Sequence, residues 1–154
     1  MAYIDVVTLE ATKTYLGIDD TSRDTEIVRM INSACTYIEK YTNVILAAKA
    51  VTYYFDDNNC VRVYDFPINS LTSPTNAVRT RRGTYSFYST STSSATELIL
   101  NVGYAVATDV PSDLIEAALE MIKVWFFSSE SRAQTNLVPM NIKQVLDLHK
   151  RFLL

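Results

Sequence analysis

The chain is poor in the residues that most often carry chemistry or cross-links. Among its 154 residues are one histidine, two cysteines, three glycines and four prolines. Acid–base and nucleophilic catalysis need convergent polar groups, with histidine the commonest proton carrier. His149 stands alone in "LDLHKRF", and Asp147, two residues earlier, would point elsewhere on a helix. His149 therefore reads as a helix-terminal or interface residue, and the chain is not expected to be an enzyme. Cys35 and Cys60 have neither a CxxC spacing nor a nearby histidine pair, which argues against a zinc site and leaves buried free thiols. Gly17, Gly83 and Gly103 lie too far apart to cradle a phosphate, so no nucleotide cofactor is expected.

Other absences narrow the class further. No apolar run approaches the roughly 18 residues of a membrane span, so no membrane partner is expected. "MAYIDVVTLEATK" lacks a basic stretch followed by an apolar one, and the expectation is cytoplasmic synthesis. With 14 Lys and Arg against 17 Asp and Glu, the net charge of -3 disfavours a tight grip on nucleic-acid backbone. What remains is 48% hydrophobic and 20% charged, an ordinary globular composition. At this length one domain buries roughly 68–70% of the unfolded chain's surface, and residues 1–154 are read as one.

Periodicity supplies the elements. Thr8 caps a short helix that Gly17 ends, and Ile27, Ile31, Ala34, Ile38 and Tyr41 draw an apolar stripe along a second, with Asn43 as its stop. Cys35 and Val28 widen that stripe, and Arg23, Glu26, Glu39 and Lys40 fall largely outside it. Asp19, Asp20 and Asp24 read as a capping and first-turn set rather than metal ligands. "VTYYFDDNNCVRVYDFP" alternates on both sides of a turn at Asp56 to Asn59 and predicts a hairpin, the turn lacking the spacing of a calcium loop. An edge strand around Ala77 to Thr80 and two strands flanking a Ser/Thr-rich tip, Ser89 to Thr96, would complete a small antiparallel sheet. The tip has little to bury and reads as an exposed, mobile loop. In "LNVGYAVATDVPSDLIEAA", Gly103 ends a strand and Pro111 opens the strongest helix, with Ile115, Ala118, Leu119, Ile122, Trp125 and Phe126 on its apolar face. A last helix carries Ile142, Val145, Leu146 and Leu148.

Two groups stand out as surfaces. Trp125, Phe126 and Phe127 are consecutive, so on a helix they point around it, which favours packing with at least one ring left for another chain. "RTRRGTYSFY" interleaves Arg79, Arg81 and Arg82 with Tyr85 and Phe87, the composition of a single-strand nucleic-acid binder, yet a basic loop in an acidic chain more often faces solvent or a subunit.

These segments, in this order, resemble the head–tail connector (adaptor, or head-completion) proteins of tailed bacteriophages, also described as DNA-packaging proteins. "TLEATKTYLGIDDTSRDTEIVRMINSACTYIEKYTN" is similar to the family's N-terminal signature, "FPINSL" to its central segment, and "LILNVGYAVATDVPSDLIEAALEMIKVWF" to its C-terminal half. Ser128, Ser129 and Glu130, with Arg132 displaced, depart from the family's Arg-Glu pair. The resemblance implies an α+β, mainly α subunit. It would be a bundle of two N-terminal helices, a long aromatic-ended helix and a short C-terminal helix, with the small sheet inserted in its middle.

The resemblance also implies a structural virion protein, made in the host bacterial cytoplasm and placed at the head–tail interface. There it would form a homo-oligomeric, dodecameric ring under the portal protein, extend the DNA channel without binding DNA tightly, and receive the tail or the next adaptor. Residues 137–154 would be a docking arm on the portal, through Leu137, Val138, Pro139, Ile142, Leu146, His149, Phe152, Leu153 and Leu154; the bland alternative is a terminus folded back on its own helices. Trp125, Phe126, Phe127, Tyr85 and Phe87 would meet neighbouring subunits. The rival readings are a tail-side completion protein and a small packaging factor that contacts DNA through Arg79, Arg81 and Arg82. No cofactor or metal is implied.

Overall fold

The computed structural model describes residues 2–82, 85–91, 96–130 and 138–150. Five helices form one layer: α1 Tyr3–Val6, α2 Leu9–Leu16, α3 Asp24–Thr42, α4 Ser112–Glu130 and α5 Met140–His149. Thr8 Oγ1 accepts the Ala11 N–H at 3.2 Å and Gly17, at φ 71°, closes α2 in the left-handed conformation. Asn43 ends α3 in the same way at φ 59°. The start of α3 differs from expectation. Arg23 is its N-cap and makes no side-chain cap bond, while Asp20 accepts from the Ser22 N–H and hydroxyl and Asp24 pairs with Lys13 at 2.8 Å.

Helices α3 and α4 pack on each other, with α5 against both and α1 and α2 against α3. Ile27, Ile31, Ala34 and Ile38 are buried as the spacing predicts, joined by Met30 and Cys35. On α4 the buried face is turned slightly from the one predicted. Leu114, Ala117, Met121 and Ile122 lie at its centre, while Ile115 and Trp125 are half-buried at its margin.

Six strands form a second layer: β1 Lys49–Tyr54, β2 Cys60–Val63, β3 Ile68–Ser73, β4 Val78–Arg82, β5 Tyr85–Ser89 and β6 Glu97–Val102. They make two three-stranded antiparallel sheets, ordered β1-β6-β3 and β2-β5-β4, where one sheet was expected. The β part is thus a layer of its own, and the chain is mixed α+β. The predicted hairpin is also corrected. A turn does form at Asp56 to Asn59, with the Asp56 N–H donating to Cys60 O and the Asp56 carboxylate accepting from the Asn58 and Cys60 N–H groups. Its flanking strands then part, β1 pairing with β6 and β2 with β5. Alternation alone cannot separate these outcomes, because Val51, Tyr53, Val61 and Val63 serve one core whether they lie in one sheet or in two that face each other. The strand β3 was missed, and its two register irregularities against β6 blur the alternation that would have marked it.

The layers meet at Val44–Ala47. Val44, Leu46 and Ala47 are buried in the helical core, and Ile45 in the β core. Over Val44, Ile45 and Leu46 the chain can serve both because successive side chains of an extended segment point to opposite faces, and a bend follows at Ala47. The Ile45 N–H donates to Phe66 O at 2.7 Å, and the Gly103 N–H to Pro67 O at 2.8 Å. Gly103 sits at φ 98°, and a Cβ there would lie 2.7 Å from Ala47 O. Only glycine suits that backbone and that approach. Glu39, expected on the solvated side of α3, is buried. It accepts from the Leu46 N–H at 2.8 Å, the Tyr3 hydroxyl at 2.7 Å and Lys49 Nζ at 3.0 Å, tying α1, α3 and the joint together.

Candidate interaction surfaces

The candidate residues fall on three surfaces. The first is α5. Ile142 and Leu146, counted with the docking arm, are buried in the chain's own helical core, and Val138 packs against that core. Pro139 is the helix N-cap. Polar contacts fasten the same helix: His149 Nε2 lies 2.5 Å from Asp113 Oδ2, the Tyr41 hydroxyl donates to Asp147 at 2.7 Å, and Lys150 Nζ sits 4.7 Å from the centre of the Tyr41 ring. That donation to a carboxylate raises the Tyr41 pKa. His149 is thus tied to α4, and this helix is folded back on its own subunit. Its exposed apolar residues are instead Met140, at 71% exposure, and Leu148, at 83%. Leu148 follows the buried Leu146 by two positions, so the helical turn carries it away from the core. Leu137, Phe152, Leu153 and Leu154 lie outside the described residues.

The aromatic end of α4 is sorted by the same geometry. Phe126 is buried with the Arg23 guanidinium 3.9 Å from its ring centre, Trp125 is half-buried against the helical core, and Phe127 is 47% exposed. Nearer the start of α4, Glu116 and Glu120 both accept from the Tyr15 hydroxyl. These bonds, to Glu120 above all, push the tyrosine pKa up. Tyr15 also lines a shallow groove over α2, together with Thr8, Glu10, Ala11 and Thr14.

The third surface is the β2-β5-β4 sheet. Directly opposed residues share a face, which sets Tyr88, Ser86, Val61 and Val63 inward and Tyr85, Phe87, Arg62, Thr80 and Arg82 outward. The Arg62 and Arg82 guanidinium carbons lie 5.8 Å from the Tyr85 and Phe87 ring centres respectively, and Tyr64 packs on Tyr85 at 5.6 Å. Arg79 Nε donates to Ser86 Oγ at 3.1 Å. All of β4 is exposed and it is an edge strand, so its three arginines occupy a position where charge discourages pairing with a stray strand. Arg62 escaped the sequence reading because it lies 17 positions before Arg79 and only strand pairing brings it to the same sheet.

Among the described residues, no group of three or more His, Cys, Asp or Glu could hold a metal, and no helix is long and apolar enough to cross a membrane. Cys35 is buried, which pushes its thiol pKa up to about 12, and Cys60 is half-buried. Of the tip from Ser89 to Thr96, residues 92–95 lie outside the described set.

The fold is one seen in phage-like particles. A subunit from the neck of an empty gene transfer agent particle, computed with C6 symmetry, superimposes with a TM-score of 0.75 at 10% identity, over 100% of this chain and 94% of that one. A chain from the neck of a native particle, computed with C12 symmetry, gives 0.73 at 11% identity over 100% and 94%. One from the virion of the native gene transfer agent gives 0.72 at 10% over 97% and 91%. No curated protein sequence matches the chain. The chain belongs to the head completion protein family, which matches residues 5–152. Its role is structural, in the connection between a viral head and its tail.

Proposed function

We propose that the chain is an adaptor subunit that joins copies of itself into a ring beneath the portal of a DNA-filled head, extends the channel and passes the load to the tail. The observation that carries this is the family match over nearly the whole chain, 5–152. Support comes from the fold shared with neck subunits of particles whose necks were computed with C6 and C12 symmetry, and a ring of twelve suits both. A closed ring of one protein needs heterologous contacts, with two different surfaces meeting at each joint. The chain's acidic balance, -3 overall, suits a channel that lets DNA slide. Docking on a portal would draw on Met140 and Leu148 and on the chain flanking α5, since Ile142 and Leu146 are already buried. Placement in the virion, after synthesis in the host cytoplasm, follows from the same role.

The test is mass measurement of the pure protein, alone and with purified portal. Ring-sized species, or a stoichiometric complex with portal, are expected. A monomer that ignores portal but binds purified tails would favour tail-side completion instead. A DNA shift at low salt, lost when Arg79, Arg81 and Arg82 are changed to Ala, would favour the packaging factor.

A further inference from the structure

We propose that the outer face of the β2-β5-β4 sheet is one half of the contact between neighbouring copies, and that the groove over α2, with the two α4 carboxylates bonded to its Tyr15, is the other half. The proposal rests on the ring reading and specifies the surfaces that form it. The sheet face has the layout of an interface centre, with Tyr85 and Phe87 in the middle strand and Arg62 and Arg82 on the strands at either side. Aromatic and arginine side chains are the types that dominate binding energy at protein contacts. Among the described residues neither arginine has an ion-pair partner, although each guanidinium is drawn toward a ring.

The complement is on the same chain, in the other layer. Glu116 and Glu120 stand one turn apart on α4, a spacing at which like charges repel, and Lys123 offsets only one of them, at 3.5 Å from Glu120. Guanidinium groups brought to these carboxylates, beside the Tyr15 hydroxyl that both accept from, would relieve that repulsion and form charge-assisted bonds. Glu10 adds a third carboxylate and lines the groove itself, beside Ala11, Thr14 and Tyr15. Because one half is a sheet face and the other a helical groove, the contact is heterologous, as ring closure demands. Duplex DNA is the weaker occupant: its phosphates would suit the arginines, but its bases are stacked within the helix and leave Tyr85 and Phe87 without a ring face to meet.

The experiment uses the full chain, with assembly followed by light scattering with and without portal. Arg62→Glu with Arg82→Glu should raise the concentration for half-assembly by about tenfold or more, as should Glu10→Lys with Glu116→Lys, circular dichroism showing both variants folded. An equimolar mixture should regain assembly, because each altered sheet face then meets an altered groove. Assembly of the arginine variant at the wild-type concentration overturns the proposal, and so does a mixture that fails to recover. If that variant assembles normally but loses a low-salt DNA shift, the face belongs to DNA. A wild-type chain that never assembles, with portal present, instead removes the ring reading and this contact with it.

Discussion

The helical layer and the β layer are held by different kinds of information. In the helical layer α2 and α3 carry their own stops, and the core, including Ile31, Leu114, Met121 and Ile122, is built from stripes that each helix displays alone. In the β layer the smaller core of Ile45, Val63, Tyr88, Leu98, Leu100 and Val102 is assembled from strands distant in sequence, and Lys49 finds its partner at Val102. Local order therefore specifies one layer, and long-range pairing specifies the other. The contrast predicts that the helical layer is the thermodynamic anchor and the β layer its dependent.

The strongest test is a matched pair of core truncations. Ile31→Ala should cost about 3–4 kcal/mol and Leu100→Ala about 2–3 kcal/mol, since a smaller core between two thin sheets has more freedom to close over a void. Urea unfolding followed by fluorescence of the sole tryptophan, Trp125 in the helical layer, and by far-ultraviolet circular dichroism measures both. Coincident transitions in Leu100→Ala would mean that the layers unfold as one, and separated transitions that the β layer yields first.

Next in size is Gly103→Ala, which adds a Cβ against Ala47 O and asks alanine to hold a positive φ. A loss of about 2 kcal/mol is expected in the same titration, with both probes moving together because the joint belongs to both layers. A loss confined to circular dichroism would show that the joint serves the sheets alone.

Alkaline pH gives a graded effect on the helical side. Burial raises the Cys35 thiol to about 12, and burial with the bond to Glu39 raises the Tyr3 hydroxyl to about 12. The folded chain keeps protons that the unfolded chain releases above its ordinary cysteine and tyrosine values. The stability these groups give is whole below about pH 9 and drains away as pH climbs toward 12. Unfolding midpoints taken from pH 7 to 11 should fall steadily above 9, and the double variant Cys35→Ala, Tyr3→Phe should flatten that fall. Leu148→Glu should change stability least, within about 0.5 kcal/mol, because the side chain is already in water. A larger loss would mean that Leu148 is covered within the free subunit.

The residues most legible in the sequence were those whose roles are set by near neighbours. Thr8, Gly17, Asn43 and Pro111 each act within a turn or two, and both ends of α2, the end of α3 and the start of α4 fall where expected. Glu39 was misplaced because periodicity counts apolar positions and cannot see a carboxylate drawn inward by Tyr3, Leu46 and Lys49. The split of β1 from β2 was hidden for the opposite reason: the turn between them is ordinary, and only distant β5 and β6 decide that the strands part. Of the candidate surfaces, the exposed ring of Phe127 follows from three consecutive aromatics on a helix. Arg62 beside Tyr85 and the carboxylates around Tyr15 depend on pairings between segments that no local pattern joins.

The strand β6 lies between β1 and β3, and it is the last of the six to be made. On the ribosome Tyr54 must wait for Glu97, a delay of about 2–9 s at 5–20 residues per second. Throughout that interval β1 lacks its central partner, β3 joins it in waiting once made, and the sheet built on β5 is complete before the one it packs against. Release comes abruptly, because the run from Glu97 to Glu130 delivers the missing central strand, the Gly103 joint and the helix that packs on α3 in unbroken succession. The two layers are thus sealed at nearly the same moment of synthesis, and a nascent copy has no finished sandwich to offer a neighbour until α4 has been made.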